Sequence, residues 1–272
     1  MKSALFGLLA ETAVHSGTEA SGGLIDLPVA REAVTNYPLL PGSSLKGTLR
    51  SAARSVLSEP EVEQLFGKPD SAGTIAITDA RLLLLPVRSL TSHFVWVTCP
   101  YILERLVRDL MLVGHPLTLT LEEPEDNQVY AATEAKLYLE ELTLQAVARP
   151  DMITAISDAI KPLIYHETVR NSLAKHLVVV SKDRMHYFAS YCLQVRARNQ
   201  LDINTKISKY FWYEESLPSD TLLYFAMLQR PEHEGNLERV ASLFAGNPYL
   251  QVGGNETVGQ GWCIISRYGE GE

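Results

Sequence analysis

Several features that define common protein classes are missing from this 272-residue sequence. The cysteines Cys99, Cys192 and Cys263 are far apart and form no C-x-x-C pair, so neither a disulfide framework nor a zinc site is indicated. The apolar stretch 1–9 is too short to cross a bilayer and lacks a small-residue cleavage pattern. We therefore predict that this stretch is a core strand, and that the protein is soluble, cytoplasmic and not associated with a membrane.

Positive charge is also scarce. Lysine and arginine number 24 against 32 aspartates and glutamates, which gives a net charge of −8. A general nucleic-acid-binding protein normally carries a basic surface, so any RNA or DNA site here must be a local groove. Hydrophobic residues make up 46% of the chain, which is typical of an ordinary globular protein of one large domain or two closely packed ones.

The common nucleotide-binding glycine motifs do not occur either. G-x-G-x-x-G is absent, and Gly254 and Gly259 have the P-loop spacing without its lysine and hydroxyl residue, since Gln260 and Gly261 follow. The remaining pattern over 253–261 predicts a glycine-rich loop between two strands. Such a loop exposes backbone N–H groups to whatever lies close to it.

The stretch 38–50, PLLPGSSLKGTLR, predicts an extended approach, a turn at Gly42 and a helix that Ser43 or Ser44 caps with a side-chain oxygen. Its apolar face is formed by residues at helical spacing: Leu45, Leu49, Ala52, Val56 and Leu57. Basic residues recur every four positions in a row on another face: Lys46, Arg50 and Arg54. The helix start suits a bound phosphate, because free N–H groups, a hydroxyl and a lysine would face it. A capped amphipathic helix with solvated cations is the alternative, and the residues alone leave both open.

A second informative stretch, 191–213, predicts a long β-hairpin with a turn over 199–204. Most of its charged positions are basic: Arg196, Arg198, Lys206 and Lys209. Aromatic residues lie at its base: Tyr210, Phe211, Trp212 and Tyr213. The hairpin is either an exposed ribbon whose charges discourage edge pairing or an arm laid along a polyanion.

Elsewhere, strand and helix patterns alternate and predict an α+β protein. Strands are expected at 3–12, 74–88, 93–98, 137–144, 177–180 and 221–229, and helices from the serine pair to about 59, then at 60–67, 100–113, 151–160 and 236–245. The acidic residues around Pro124 are Glu122, Glu123, Glu125 and Asp126. They fit a solvated surface loop better than a metal site, because adjacent loop carboxylates are usually just hydrated.

Asp26 follows a loop of small residues at 16–23 and lies between Ile25 and Leu27. An acid between apolar neighbours is either the outward position of a strand or a group held at the rim of a site by neighbours buried below it. Position alone favours the first interpretation.

Taken together, these motifs resemble the RAMP superfamily of CRISPR RNA-binding proteins. The resemblance is carried by PGSSLKGTLR at 41–50, His-Ser-Gly at 15–17 and the glycine loop 253–261. More narrowly, GLIDLP at 23–28 with Arg31-Glu32, and WYEESLP at 212–218, resemble the backbone subunits of type III-B (Cmr) effector complexes.

The resemblance implies a single RAMP domain over 1–272, with an RRM-like (ferredoxin-like) core and insertions. One insertion would be a thumb hairpin at about 184–213. Copies of the chain would stack in a helical filament along the CRISPR guide RNA. Further partners would be single-stranded target RNA and other type III-B effector subunits.

The resemblance also implies cleavage of bound target RNA at regular intervals by an endoribonuclease that uses Mg²⁺ or Mn²⁺. Asp26 matches the family's catalytic and metal-binding aspartate, with these residues as candidate assistants: His15, Tyr213, Glu214 and Glu215. The RNA-binding residues implied are Gly42, Ser43, Ser44, Lys46, Arg50, Arg54, Arg196, Arg198, Lys206, Gly253, Gly254, Asn255, Gly259 and Gly261. The alternatives are a non-cleaving guide-RNA-binding subunit, an enzyme that processes the CRISPR precursor, or an unrelated small-molecule enzyme of ferredoxin-like fold.

Overall fold

A computed structural model describes residues 2–17, 23–231 and 234–269. The α-helices are α1 Gly42–Arg54, α2 Glu59–Phe66, α3 Pro100–Leu112, α4 Pro150–Ile160, α5 Glu167–His176, α6 Lys182–Tyr191 and α7 Asn236–Ala241. Short 3-10 helices cover Lys161–Leu163, Ser242–Phe244 and Glu256–Val258. The strands are β1 Ser3–Ala10, β2 Leu39–Leu40, β3 Gly67–Lys68, β4 Ser71–Ala72, β5 Ile75–Ile77, β6 Ala80–Ser89, β7 His93–Thr98, β8 Gln128–Ala131, β9 Ala135–Leu139, β10 Leu142–Ala148, β11 Leu177–Val179, β12 Gln194–Leu201, β13 Ser208–Ser216, β14 Leu222–Gln229, β15 Tyr249–Gln251 and β16 Trp262–Arg267.

One large sheet organises the core. Its strands lie in the order β15-β16-β1-β14-β6-β7-β11-β8-β10-β9, while β2 pairs with β6 and β5 pairs with β14. β1 lies between β14 and β16 and is antiparallel to both. Every residue from Ala4 to Ala10 is buried, as the apolar run at the start of the sequence predicts. Phe6 stacks on Phe225 of β14 with ring centroids 5.5 Å apart.

The α+β composition is confirmed, and several predicted elements are present close to their expected limits, among them β1, β7, β14, α3 and α4. The prediction that the first long helix runs to about residue 59 is wrong. α1 ends at Arg54, and Ser58 begins α2 by forming a capping box with Glu61. Val56 therefore lies outside the helix and is 66% exposed, although the pattern placed it on the apolar face.

The expected cap of α1 is also wrong. Neither Ser43 nor Ser44 caps the helix, which begins one residue earlier, at Gly42. The Gly42 N–H donates instead to Oδ1 of Asp79, at 2.7 Å. Asp79 lies between β5 and β6, so an acid from a neighbouring turn satisfies one of the helix's unpaired amides.

β12 and β13 form the predicted hairpin, as a two-stranded sheet separate from the large one. Its register pairs Val195 with Glu215 and Arg198 with Trp212. At its tip, Asp202 Oδ1 accepts the N–H groups of Asn204 and Thr205, both at 2.9 Å. The residues just before the hairpin form α6, a helix that was not predicted, as α5 was not.

The acidic loop around Pro124 anchors α6. Glu123 accepts the Lys182 N–H at 3.0 Å, and Asp126 accepts the Ser181 hydroxyl at 2.7 Å. Over 2–17, 23–231 and 234–269, no three His, Cys, Asp or Glu side chains are grouped to hold a metal ion. In the same ranges, every helix is too short or too polar to cross a membrane.

Candidate nucleic-acid interface

Stretches from both ends of the chain meet in one cleft of about 470 Å³, which we call the glycine cleft. Its lining residues are His15, Ser16, Gly17, Leu40, Ser44, Gly47, Thr48, Gly253 and Gly254. The fold therefore brings together the His-Ser-Gly segment, the first turns of α1 and the start of the glycine loop. These are the three stretches on which the sequence resemblance rests.

The buried His15 ring is held by the foot of the hairpin. Its Nδ1 lies 2.7 Å from the carbonyl oxygen of Glu215. Because a carbonyl only accepts, Nδ1 carries the proton and Nε2 of the neutral ring is left as an acceptor. Nε2 faces Gly17, where an added Cβ would lie only 2.7 Å away.

The glycine loop closes over His15 from the other side. Gly254 donates its N–H to the His15 carbonyl oxygen at 3.0 Å. Gly253 has a φ of +77°, and a Cβ there would collide with the same carbonyl oxygen. This close approach requires glycine at position 253.

Asp26 is half-buried at the hairpin foot. Its Oδ2 accepts the Tyr213 N–H at 2.8 Å, and the adjacent Leu27 exchanges backbone hydrogen bonds with Tyr213 and Glu215 at 3.1 and 2.9 Å. No described residue donates to the other carboxylate oxygen, Oδ1. Ile25 and Leu27 are only partly buried, so they do not form the buried base beneath Asp26 that the sequence suggested.

The outer edge of β13 explains why Asp26 and His15 are neighbours. Its outward N–H and C=O groups belong to alternate residues: Tyr213, Glu215 and Leu217. Val14 pairs with Leu217 through two backbone hydrogen bonds of 2.9 Å. The His15 side chain binds the outward carbonyl of Glu215, and the Asp26 side chain binds the outward N–H of Tyr213. The positions that anchor Asp26 and His15 are thus two residues apart, about 7 Å along the strand.

Glu215 is buried and fully engaged. Its Oε1 lies 2.9 Å from Arg31 Nη2, and its Oε2 accepts the Val29 N–H at 3.1 Å. Arg31 also donates to the Ala189 carbonyl at 2.8 Å, which ties the end of α6 to this segment. A catalytic role for Glu215 stays a prediction.

Glu214 connects the hairpin to the glycine loop. Its Oε1 accepts from Arg198 at 3.3 Å and from the Asn255 side chain, which also donates to Gln260 Oε1 at 2.8 Å. Because Glu214 is buried, these partners offset the loss of hydration of its carboxylate. Its role in cleavage likewise stays a prediction.

The basic row of α1 does not line the glycine cleft. Lys46 and Arg50 line an adjacent pocket of about 330 Å³, together with Lys68 of the β3–β4 hairpin. Glu59 forms ion pairs with Arg54 at 2.8 Å and with Arg50 at 3.6 Å, so much of the charge of this row is already balanced.

The remaining predicted site residues line neither of these two concavities. Ser43 and Gly259 are exposed, whereas Gly261 is buried and donates its N–H to Ala13 at 2.8 Å. Arg196 and Lys206 are exposed on the hairpin. The exposed Tyr213 ring packs edge-on against Phe211, with centroids 5.2 Å apart.

Two residues of the glycine cleft with side-chain hydroxyl groups were not among the predicted site residues. Ser16 is 3% exposed, and its Oγ has no partner among the described residues. Thr48 follows Ser44 by one helical turn and donates its hydroxyl to the Ser44 carbonyl at 3.1 Å. The i, i+4 spacing to Ser44 signals Thr48, and Ser16 lies within the His-Ser-Gly segment itself.

An α+β fold with a cleft that unites these three stretches is the arrangement expected of a RAMP protein. The chain matches the family described as the RAMP superfamily over residues 8–264, and it belongs to that superfamily. Its relatives include the CRISPR system Cmr endoribonuclease Cmr4 of Pyrococcus furiosus, which is 33% identical over 98% of this chain and 96% of that protein. The expected likeness to type III-B (Cmr) subunits is thereby confirmed.

Solved structures agree. The crystal structure of oligomeric Cmr4 from Pyrococcus furiosus superposes with a TM-score of 0.79 at 29% identity, over 98% of each chain. A chain in the cryo-EM structure of a type III-B Cmr-beta complex bound to cognate target RNA superposes with a TM-score of 0.76 over 98% of each chain. At 20% identity, the second match shows a likeness of fold alone.

Proposed function

We propose that this chain is a CRISPR RNA-binding backbone subunit of a type III-B effector complex and that it cleaves target RNA paired to the guide. One observation carries the proposal: the fold unites the three resemblance stretches in the glycine cleft and holds Asp26 on the same strand edge as His15. The 33% identical relative, which is named as a Cmr endoribonuclease, supports the same activity.

An RRM-like core is part of this proposal. β16, β1, β14 and β6 are neighbours and pair in antiparallel fashion. In chain order, α1 lies between β1 and β6, and α7 lies between β14 and β16. This arrangement is typical of a β-α-β-β-α-β unit and supports an RRM-like core. The β12–β13 hairpin would then be the thumb, and copies of the chain would stack in a helical filament along the guide.

The glycine cleft and the Lys46–Arg50 pocket would bind successive parts of the RNA backbone. The cleft offers neutral donors, namely the amide of Ser44 in the first turn of α1 and the buried Ser16 hydroxyl. In the adjacent pocket, Lys46 has no ion-pair partner among the described residues, while Arg50 and Lys68 share their charge with Glu59 and Glu63. A protein of net charge −8 can therefore bind RNA through a local basic groove that stacking would multiply.

We assign the chemistry to Asp26. The 2′-hydroxyl of a target ribose would attack the adjacent phosphorus in line, and the 5′-oxygen would leave with a proton, giving a 2′,3′-cyclic phosphate and a 5′-hydroxyl. Asp26 Oδ1 is the acceptor available to orient and deprotonate the 2′-hydroxyl, because Oδ2 is bound to Tyr213. His15 Nε2 would be a second acceptor in the neutral ring, or a donor to a phosphate oxygen in the protonated ring. A base displaced by the thumb would let the backbone reach the in-line geometry that an A-form helix prevents.

Use of a divalent metal, Mg²⁺ or Mn²⁺, is a further part of the proposal. The described residues provide no protein cage of three or more ligands. Mg²⁺ is commonly held by one or two carboxylates plus phosphate oxygens and water, so Asp26 alone fits a site that RNA completes. Such an ion would neutralise charge that develops on the attacked phosphate.

The test uses the complex assembled with guide RNA and an end-labelled complementary target RNA. We expect a ladder of regularly spaced products with Mg²⁺ or Mn²⁺, no ladder with EDTA, and loss of single rungs where the target carries a 2′-deoxyribose. Binding without any ladder would instead establish a structural guide-binding subunit. Metal-independent cutting of repeat RNA by the free chain would establish a precursor-processing enzyme.

A further inference from the structure

A further concavity, about 670 Å³ in volume, lies outside the proposed cleavage site. Four of its lining residues are arginines: Arg31, Arg81, Arg105 and Arg108. We call it the arginine cleft. Its acidic lining residues are Glu32, Asp79 and Asp109. Glu32 pairs with Arg105, Asp109 pairs with Arg81, and Arg31 pairs with Glu215, so Arg108 is the lining arginine without an ion-pair partner among the described residues.

Arg105 is the least exposed of these arginines, at 6%. It uses a single nitrogen, Nη1, to bind both carboxylate oxygens of Glu32, at 2.7 and 2.8 Å. Its Nε and Nη2 are buried and have no acceptor among the described residues. Hydrogen-bonding groups hidden from water are normally paired, so these two donors at the base of the cleft are suited to an acceptor that a ligand supplies.

At the rim of the cleft, Arg81 is paired with Asp109, whereas Arg108 has no ion-pair partner among the described residues. Arg81 shares Asp109 Oδ2 with the Tyr224 hydroxyl, at 2.8 and 2.9 Å, so one carboxylate oxygen serves two donors. Arg108 is exposed, and no described acidic side chain forms an ion pair with it. Its planar fork of donors is suited to the oxygens of a phosphate group.

The two clefts flank the same strand. Leu39 lines the arginine cleft and Leu40 lines the glycine cleft. Consecutive strand residues point to opposite sides, so β2 separates the concavities. The Asp79 carboxylate that binds the Gly42 N–H also lines the arginine cleft, which therefore begins beside the start of α1.

We propose that the arginine cleft binds a phosphate group of the RNA strand that the glycine cleft also holds, at a position beyond the start of α1. The inference rests on the proposed RNA-binding function. Arg108 would form the direct phosphate contact, Arg81 would supply a second cation that it shares with Asp109, and the unpaired donors of Arg105 would favour the anion from below.

The test compares single-stranded RNA binding by full-length variants, measured as fluorescence anisotropy over a series of salt concentrations. Arg108→Gln should weaken binding about tenfold, since a hydrogen bond to a charged group is lost. The slope of log K against log salt should fall by about 0.7 for one phosphate contact. Arg108→Lys should recover the slope but only part of the affinity. Arg230→Gln, at an exposed arginine that lines neither cleft, is the matched control.

The outcomes separate this inference from the proposed function. If RNA binding by Arg108→Gln equals that of Arg230→Gln while Lys46→Gln weakens it, the arginine cleft does not bind RNA and the inference fails alone. If the wild-type chain binds no RNA in the assembled complex either, the proposed function fails. Impaired self-association of Arg108→Gln with unchanged RNA affinity would assign the cleft to an acidic protein partner and overturn the inference.

Discussion

The carboxylate of Asp26 and the backbone N–H of Tyr213 are joined by a hydrogen bond of 2.8 Å between residues 187 positions apart. This bond fixes one carboxylate oxygen at the point where the hairpin leaves the core. The other oxygen has no donor among the described residues, and the carbonyl group that holds His15, that of Glu215, lies two residues farther along the chain. The position of the proposed catalytic acid is thus set by the hairpin foot.

Asp26→Asn should separate charge from position, because asparagine keeps an oxygen that accepts the Tyr213 N–H. We expect target cleavage to fall at least about 100-fold while RNA affinity is unchanged, since loss of a positioned base removes this much rate. Asp26→Ala should also lower stability by about 1–2 kcal/mol, because it leaves the Tyr213 amide without its charged acceptor. Gel cleavage assays and thermal unfolding measure the two effects. Wild-type cleavage by Asp26→Asn would exclude Asp26 as the base.

His15→Asn and His15→Ala should distinguish the two ring nitrogens. The asparagine amide can still donate to the Glu215 carbonyl, so we expect its melting temperature to stay near that of the wild type. Alanine leaves that buried carbonyl unpaired and should cost about 1–2 kcal/mol. Both variants lack Nε2, and both should cleave more slowly if that atom contacts RNA. Unchanged cleavage by His15→Asn would assign the ring a structural role only.

Gly47→Ala should stabilise the chain and weaken RNA binding. Gly47 lies within α1 with nothing within 4 Å of an added Cβ, so alanine should raise stability by about 0.5–1 kcal/mol through helix propensity. The same methyl group would project into the glycine cleft, where RNA is proposed to pass. Ser51→Ala is the matched control, because it improves propensity at an exposed α1 position outside the cleft. A stabilised Gly47→Ala variant with unchanged affinity would show that RNA does not approach this turn.

The hairpin tip should keep its structure well into the acid range. The side chain of Lys209 and the backbone amides of Thr205 and Asn204 lower the pKa of Asp202 to about 2. A lowered acid pKa contributes stability above the unfolded value of about 3.9 and loses it as the pH falls toward 2. The protection factors of the amides at 202–207, which are corrected for the pH dependence of intrinsic exchange, should therefore stay constant from neutral pH to about 4 and fall below it. An Asp202 carboxyl that titrates near 3.9 by NMR would contradict this.

Local sequence patterns were sufficient to predict the helices and strands whose signal lies within a few neighbouring residues. The continuous apolar run marks β1, Pro100 marks the first turn of α3, and alternation around a polar turn marks the β12–β13 hairpin. The unpredicted helix α5 buries only Leu173 strongly, so its sequence carries little periodic signal. α6 adjoins the hairpin, and its residues were read as part of that insertion.

The candidate site shows more clearly what local sequence patterns cannot predict. The residues that line the glycine cleft were mostly recognisable as motifs, but their mutual positions depend on contacts between distant parts of the chain. The Asp79 carboxylate that binds Gly42 N–H lies 37 positions away, and the His15–Glu215 bond spans 200 positions. No local pattern predicts the bond between Arg105 and Glu32, because the two residues meet only once α3 packs beside the segment after Asp26.

The hairpin shares backbone hydrogen bonds with the rest of the described chain only along its foot, at Tyr213, Glu215 and Leu217. Natural variation can therefore lengthen or shorten the outer ribbon without disturbing the folding free energy of the core. Two residues added to each strand would move the tip outward by about 7 Å. In a stacked assembly, the length of the hairpin would set how far it reaches toward a neighbouring copy. Insertions and deletions could change this reach without affecting the chemistry at the hairpin foot.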